Sequence, residues 1–541
     1  MARTEPPSNR DTKPGPQTNL RTRTSARTFT ATAPRLPLFL PVLVLLCTSP
    51  HPSLAGPPQL ARAPLLSGQP FIIFWGIPDS SCSVRPDPAS FGMEREGRVT
   101  VFYEDTLGNY PYYVDRDTPV NGGLPQSTRL ESHLQKAGED LVAALPAPRY
   151  LGLGVLRWAE WDPQWTRNRG KQAMYLEASR RSLRAFFPDW SQEEVETWSK
   201  VDFESAAQSI IIETLREVIR LRPKALWGVS PYPSCYNGDP AQTLLANYTG
   251  RCPTAEMALN DKLLWLWKRC SALFPLLTLE KLQGGTPGAR LYLSNQIGEA
   301  LRVASLAEAA HDLPVFTMVR SVYASTNTFL SQADLVNTIG ESAAMGTAGV
   351  VIWEKDETKT ERECADLAQF VRQVLGPYSI NVTTAARLCS AALCQGRGRC
   401  VRQNPESAAY LHLPPPSEAQ ATDQPDAAAK PAEPDPAEIW KTDFQCQWFK
   451  TSDSSVSDQQ SPKDGASVGG AGVGDVGDVM GTIVAPTSKS ASVTESGGRT
   501  TTSLTSSLEV PTDHGTKPLS APVLTVILLL LVTGGLWTPR A

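Results

Sequence analysis

Short apolar runs alternate with helix-like segments between residues 56 and 388, and this alternation limits the fold more than any other feature. The runs are rich in β-branched or aromatic residues and are bounded by turn formers, as buried strands are. The strand-like runs are residues 71–75, 151–158, 225–228 and 349–353, and the helix-like segments include 203–221 and 259–273. Strands alternating with helices over a length of roughly 300 residues predict an α/β protein with a distorted (β/α) barrel of the TIM type.

Both ends of the chain carry apolar segments that predict passage through the secretory pathway. A basic stretch, the apolar run Leu36–Cys47 and small residues at 53–55 follow one another as in a signal peptide, here residues 1–55. A membrane anchor is the competing interpretation, but the run is short for a bilayer. Residues 520–541 form a hydrophobic tail behind a polar spacer, which predicts a GPI anchor at the cell surface. A single-pass tail or a secreted protein are the alternatives.

Cysteines and composition divide the rest of the chain. Ten cysteines are present, and nine remain after Cys47 is removed with the signal peptide, so at least one is unpaired. Three of them fall within residues 389–400, which predicts a small disulfide-bonded module over residues 389–450 with a Pro-rich insertion. Residues 451–519 are rich in Ser, Thr and Gly and predict a disordered stalk.

Charge, histidine spacing and glycosylation motifs indicate which partners to expect. The formal net charge is −4, so we expect no nucleic-acid partner. The five histidines are not spaced as a pair of metal ligands, so we expect no metal and no cofactor. Asn247 and Asn381 each begin an Asn-X-Thr motif and are candidate N-glycosylation sites.

Five stretches of sequence carry a resemblance to a known family. They are Val101–Tyr113, Gly122–Gln126, Cys235–Asn237 with Asn247–Pro253, Asn260-Asp261 with Trp265–Trp267, and Gly340–Ala344 with Ile352-Trp353. In this order they resemble the animal hyaluronidases, glycoside hydrolase family 56, over residues 66–402. With its hydrophobic tail, the chain is most similar to the surface-anchored branch of that family.

The resemblance implies a barrel with a long groove at the carboxyl ends of its strands. The disulfides it implies are Cys82–Cys364, Cys235–Cys252, Cys389–Cys400 and Cys394–Cys446. The EGF-like C-terminal module of the family has a further cysteine pair, which residues 447–450 lack, so we expect this module to be truncated. Cys270 has no partner in the family and is expected to be a buried thiol.

The two catalytic acids of the family are replaced here. The substrate's acetamido group attacks in these enzymes, so the protein supplies a Glu that donates a proton and an Asp that positions the acetamido group. Both belong to an Asp-Trp-Glu motif at a strand end, which here reads Arg157-Trp158-Ala159. Alanine cannot donate a proton, and loss of a general acid lowers the rate by about 10²–10⁴. A guanidinium at this point also disfavours the cationic intermediate.

Two nearby acids are candidate substitutes for the missing proton donor. Side chains alternate between faces along a strand, so Glu160 is expected to point away from the face of Arg157 and Ala159 unless a bulge turns it inward. Asp162 lies beyond the strand end and is the other candidate.

Other polar groove positions of the family are also replaced. A Tyr and an Asp of the family correspond here to Ser230 and Ser234, and a Ser and a Tyr correspond to Leu276 and Thr278. Losses at several positions predict that catalysis has been relaxed while the scaffold has been kept.

Four residues are candidate contacts for a substrate. Tyr323 and Trp353 match groove residues of the family, and Arg157 and Trp158 lie at the strand end. Aromatic rings stack on sugars, but Trp158 is also interpretable as core packing. Arg157 either pairs with a glucuronate carboxylate or has drifted to a residue whose charge a neighbour satisfies.

Three functions remain open from the sequence. The first is a non-catalytic family member that binds hyaluronan or chondroitin at the cell surface. The second is an active hyaluronidase, an endo-β-N-acetylhexosaminidase with a displaced acid such as Glu160. The third is a receptor scaffold that binds no glycan. Substituted catalytic residues favour the first, because a fold carries no activity without its site.

Overall fold

A computed structural model describes residues 59–95, 97–242, 247–307, 311–355, 360–413 and 436–450. The strands are β1 (Ile72–Gly76), β2 (Val99–Phe102), β3 (Tyr112–Asp115), β4 (Thr118–Val120), β5 (Leu153–Arg157), β6 (Leu226–Ser230), β7 (Leu276–Leu277), β8 (Phe316–Val319), β9 (Gly349–Trp353), β10 (Gly398–Arg402) and β11 (Phe444–Trp448). The helices are α1 (Leu130–Ala144), α2 (Ala173–Phe186), α3 (Gln192–Leu221), α4 (Thr254–Lys262), α5 (Leu264–Trp267), α6 (Pro287–Ala307), α7 (Gln332–Leu335), α8 (Glu341–Ala344), α9 (Glu361–Phe370), α10 (Gly376–Cys394) and α11 (Pro436–Asp443). The expected signal peptide, stalk and C-terminal tail lie outside the described residues.

Seven strands form two parallel sheets, as the alternation of strands and helices predicts. One sheet has the order β2-β5-β6 and the other has the order β1-β9-β8-β7. The segment before β7 lies next to β6, because the Ser271 amide donates to the Trp227 carbonyl at 2.8 Å. The seven parallel strands that the structure describes make two sheets rather than a single closed ladder. The α/β class is therefore confirmed, and a closed barrel is not established.

Side chains alternate between two cores along β5. Leu153 and Val155 belong to a cluster that also contains Phe316 and Val351 of the other sheet, so the two sheets share one inner core. Leu156 faces the opposite way, into an outer core beneath the helices. Since side chains two residues apart share a face, Arg157 continues the inner row at the carboxyl end of the strand.

A capping box fixes where the long helix α3 begins. The Ser191 hydroxyl accepts from the Glu194 amide at 3.2 Å, and the Glu194 carboxylate accepts from the Ser191 amide at 2.8 Å. These bonds satisfy amides that have no partner inside the helix. From this start, Phe203 of α3 packs edge-on against Trp161 at 6.0 Å, just beyond the end of β5.

The cysteine-rich segment packs on the α/β body as a continuation of it. Helix α10 runs across the expected boundary between residues 388 and 389, and the described part of the segment ends in the antiparallel pair β10–β11. Arg402 of β10 forms a fully buried ion pair with Glu341 of α8. The described residues on both sides of the boundary belong to one compact unit.

Four disulfides cross-link the described residues. They are Cys82–Cys364, Cys235–Cys252, Cys389–Cys400 and Cys394–Cys446, which are the pairs that the resemblance implies. Cys270 is buried and unpaired, and burial raises the pKa of its thiol to about 12. Within the described ranges, no helix has both the length and the apolar character that a bilayer span needs.

Candidate functional site

The carboxyl end of β5 places a cation at the mouth of the inner core. Arg157 is the last residue of β5 and lies beside Ser230, the last residue of β6. Its guanidinium carbon is 5.0 Å from the centre of the Trp353 ring, a cation–π contact with the end of β9. The Nε and Nη1 atoms are buried without a hydrogen-bond partner. Burial lowers the pKa of this guanidinium, although nearby Tyr103, Tyr232, Glu160 and Glu104 oppose the change.

Trp353 is held from two sides. It is 8% exposed and belongs to the inner core. The Tyr103 ring lies 6.5 Å from it, and the Tyr103 hydroxyl donates to the Glu354 carbonyl at 2.9 Å. The structure therefore brings together two of the four candidate substrate contacts, Arg157 and Trp353.

Charged residues from three strand ends surround Arg157. Glu104 follows β2 and forms an ion pair with Lys355, which follows β9. Glu160 follows β5 and is partly buried. Burial raises the pKa of the Glu160 carboxyl and Glu104 raises it further, whereas Lys355 and Arg157 lower it. Four charges thus interact within one small region.

The alternation argument for Glu160 stops at the end of the strand. Strand β5 ends at Arg157, so the pleat does not fix the direction of a side chain three residues later. The electrostatic neighbours of Glu160 include Arg157 of the inner row and also Tyr110 of the outer core. Glu160 therefore lies at the border between the groove and the outer core.

Ala159 is partly exposed in the loop that follows β5. Its carbonyl accepts from the Gln172 Nε2 at 3.0 Å, which ties this loop to the start of α2. Its side chain is a methyl group and offers no proton.

Asp162, the other candidate acid, is buried beneath the loop that follows β5. Its Oδ1 accepts from the Gln164 amide at 2.9 Å, and its own amide donates to Asn168 Oδ1 at 2.9 Å. Burial raises the pKa of this carboxyl to about 6, although Arg167 lowers it. These bonds support a role in holding the loop.

Trp158 and Tyr323 are packed away from Arg157. Trp158 is 2% exposed, and its ring lies tilted against that of Tyr110 in the outer core, with the ring centres 4.6 Å apart, which favours the packing interpretation. The Tyr323 hydroxyl donates to Asp334 at 2.5 Å, and Lys281 covers its ring at 4.4 Å.

The four other positions that are predicted to belong to the groove lie on β6 and β7 or soon after them. Ser230 is fully buried, and its Oγ has no hydrogen-bond partner. Ser234 is partly buried, and its carbonyl accepts from Asn260 at 2.8 Å. Leu276 begins β7 beside Met318, and Thr278 follows that strand with its Oγ1 buried and unpartnered.

Tyr103, Glu104 and Lys355 were not identified as site residues from the sequence. Each follows the carboxyl end of a strand, where parallel α/β proteins place their functional groups. Val101–Tyr113 contains two of them, so this rule, applied to every strand end, would have identified them.

The structure bears on the expected metal-binding and glycosylation sites. The two glycosylation motifs differ in how exposed their asparagines are. In the ranges that the structure covers, no group of three His, Cys, Asp or Glu side chains is arranged to hold a metal. Asn247 is exposed. Asn381 lies in α10 and is partly buried, and its Oδ1 accepts from the Leu413 amide at 3.0 Å.

Comparisons with known proteins identify the family. The hyaluronidase family profile matches residues 60–461. Mouse hyaluronidase-2 is 39% identical over 371 residues, which are 66% of this chain and 78% of the mouse protein. The hyaluronidase of the viper Echis ocellatus is also 39% identical, over 66% of this chain and 82% of that protein.

A solved structure agrees with the sequence comparisons. Bee venom hyaluronidase in complex with a hyaluronic acid tetramer is 28% identical, with a TM-score of 0.52. The match covers 57% of this chain and 98% of the bee protein. A monoclinic crystal structure of bee venom hyaluronidase gives 27% identity and a TM-score of 0.51. This chain belongs to the hyaluronidase family.

Proposed function

We propose that this protein binds glycosaminoglycan chains, hyaluronan or chondroitin, at the carboxyl ends of its parallel strands and does not hydrolyse them. The observation that carries the proposal is the end of β5, where a methyl group at Ala159 and a guanidinium at Arg157 occupy the family's acid positions. The bee enzyme in complex with a hyaluronic acid tetramer supports a sugar-binding groove on this scaffold.

The chemistry of the site supports loss of hydrolysis. Without a positioned general acid the barrier rises by roughly 3–5 kcal/mol, equivalent to about 10²–10⁴ in rate. Arg157 adds a positive charge where the reaction builds another, and like charges in a partly buried site repel strongly. Ser230, Ser234, Leu276 and Thr278 remove further polar contacts, so a single back-substitution would not restore the site.

A hyaluronan zymogram and a binding column test this proposal together. The purified ectodomain is run on hyaluronan gels near pH 4 and near neutral pH, and is also passed over immobilised hyaluronan at low salt. We expect no clearing of the gel and retention on the column. Clearing would contradict the loss of hydrolysis, and passage without retention would favour a receptor scaffold that binds no glycan.

Hydrolysis by Glu160 is the second candidate, because this carboxyl has properties that a general acid needs. It interacts with Arg157 and Glu104, and burial raises its pKa. Glu160→Gln tests this candidate, since the amide keeps the shape and loses the proton. If clearing occurs and Glu160→Gln abolishes it, Glu160 is the displaced acid. Asp162→Asn is the matched control, because its carboxyl is buried in the loop.

The setting we propose for this function is the cell surface. A signal peptide over residues 1–55 and a GPI anchor within residues 520–541 would place the glycoprotein there, with glycans at Asn247 and Asn381. A closed barrel over residues 56–388, a truncated EGF-like module over 389–450 and a stalk over 451–519 complete the proposed organisation. Release of the protein from cells by a phosphatidylinositol-specific phospholipase tests the anchor.

A further inference from the structure

We propose that Arg157 is an anion-recognition residue, which binds the carboxylate of a uronic acid residue in the polymer. This inference rests on the proposed function and names the chemical group that the site selects. The same carboxylate occurs in hyaluronan and in unsulfated chondroitin, so both polymers present the chemistry that we infer.

The first argument is the unsatisfied hydrogen-bonding capacity of Arg157. Its Nε and Nη1 atoms are buried and have no partner, and the side chain as a whole is only partly exposed. The Ser230 Oγ on the adjacent strand end is also buried and unpartnered. Buried polar groups are nearly always hydrogen-bonded in proteins, so two unsatisfied groups on neighbouring strands indicate a missing ligand.

The second argument is that, among the described residues, no carboxylate forms a hydrogen bond with the Nε or Nη1 atom of Arg157. Glu104 is engaged by Lys355 in an ion pair. Glu160 acts on Arg157 electrostatically, without a hydrogen bond to the buried guanidinium nitrogens. The guanidinium is instead in cation–π contact with the Trp353 ring, its carbon 5.0 Å from the ring centre, which restricts where the cation lies.

The third argument concerns the kind of anion. A guanidinium presents a planar set of donors that matches a carboxylate, and a ring-stacked guanidinium is already oriented. The partly exposed mouth between β5 and β9 is where a chain crossing the strand ends would pass. A uronate carboxylate is thus the group of a glycosaminoglycan that fits Arg157.

Binding of a ligand carboxylate beside Arg157 is expected to change the protonation of Glu160. Glu160 faces Glu104, Lys355 and Arg157 at the strand ends, and Tyr110, Tyr112 and Tyr175 on its outer side. A ligand carboxylate beside Arg157 adds a negative charge near Glu160 and removes part of the stabilisation that Arg157 gives to its ionised form. Binding is therefore expected to favour the protonated form of Glu160, so proton uptake should accompany binding and affinity should rise as the pH falls.

The test compares three oligosaccharides of equal length on the purified ectodomain by calorimetry. They are a hyaluronan oligomer, the same oligomer with its carboxylates reduced to alcohols, and an uncharged chitin oligomer. The variants are Arg157→Gln, Arg157→Lys and Glu160→Gln. The matched control is Arg220→Gln, which removes an exposed guanidinium at the end of α3. Thermal melting verifies that each variant is folded.

The expected result is a preference of at least tenfold for the hyaluronan oligomer over both uncharged ligands. Arg157→Gln should abolish this preference, Arg157→Lys should keep part of it, and Arg220→Gln should keep all of it. Glu160→Gln should remove the proton uptake, measured in two buffers of different ionisation enthalpy. Equal binding of all three ligands, or a preference that survives Arg157→Gln, would overturn the inference while sugar binding stands. Failure to bind any ligand would overturn the proposed function as well.

Discussion

Arg157 and Trp353 are in contact across the two parallel sheets, with the guanidinium carbon 5.0 Å from the indole centre. Arg157 ends β5 in one sheet and Trp353 ends β9 in the other. The contact therefore joins the sheets at the carboxyl ends of β5 and β9. The same ring packs beside Tyr103 of a third strand end at 6.5 Å.

A double-mutant cycle with Arg157→Met and Trp353→Leu measures this contact. We predict a coupling free energy of about 0.5–2 kcal/mol, because a partly desolvated cation–π pair is lost in each single variant. The measurement is urea unfolding of the four proteins. Additive effects, within about 0.3 kcal/mol, would show that the two side chains do not stabilise one another.

The buried ion pair between Arg402 and Glu341 ties β10 to α8. We predict that Glu341→Gln lowers the free energy of unfolding by about 3–5 kcal/mol, because it leaves a buried guanidinium without its counter-charge. Glu217→Gln is the matched control. It breaks a pair whose arginine side chain is 64% exposed, so a loss below about 1 kcal/mol is expected. Similar losses for the two variants in chemical unfolding would contradict the assignment.

Asp162 gives the protein a defined pH dependence of stability. Burial raises the pKa of its carboxyl in the folded state from 3.8 to about 6. The stability gained from protonation is fully present below the unfolded pKa and is lost as the pH rises through the folded pKa. Asp162→Asn keeps an acceptor for the Gln164 amide and cannot ionise, so it does not lose this stability.

The measurement for Asp162 is the difference in unfolding free energy between Asp162→Asn and the wild type at pH 4 and pH 7. We predict that the variant gains up to about 3 kcal/mol relative to the wild type between these pH values. A difference that is constant with pH would mean that folding does not raise the pKa of Asp162.

Two disulfides close loops of very different length. Cys82 and Cys364 are 282 residues apart, whereas Cys235 and Cys252 are 17 residues apart. If a cross-link acts mainly on the unfolded chain, removal of the first pair should cost about 2 kcal/mol more than removal of the second. Unfolding of the two Cys→Ser double variants tests this. An equal or smaller loss for Cys82–Cys364 would count against the chain-entropy explanation.

The fold could be predicted where a segment is apolar on both faces. Residues 349–353 coincide with β9, and residues 151–158, 225–228 and 71–75 overlap β5, β6 and β1 within two residues at each end. These strands are buried between the inner core and the helices, so their continuous apolar composition is enough to identify them as strands. The helix predicted over residues 259–273 extends too far. In the structure α5 stops at Trp267, and the backbone then joins the edge of the sheet.

The site could be predicted only in part. Arg157 and Ala159 follow from the family pattern, since they occupy positions in an unbroken motif. The surroundings of Glu160 could not be predicted from the sequence, because β5 ends three residues earlier. The charged groups that interact with Glu160 include Glu104 and Lys355, which are distant in sequence. Likewise, nothing in the sequence distinguishes Trp353 at the groove from Trp158 in the outer core.

The most direct test is the fate of hyaluronan of defined length under single-turnover conditions, with the ectodomain in excess over chain ends. Chain mass is followed by light scattering at pH 4 and at pH 7, with an active hyaluronidase as the positive control. The proposed loss of the proton donor at Ala159 predicts that chain mass stays constant while the protein remains bound to the polymer. A steady fall in chain mass that Glu160→Gln abolishes would contradict it and would make this protein an enzyme with a displaced acid.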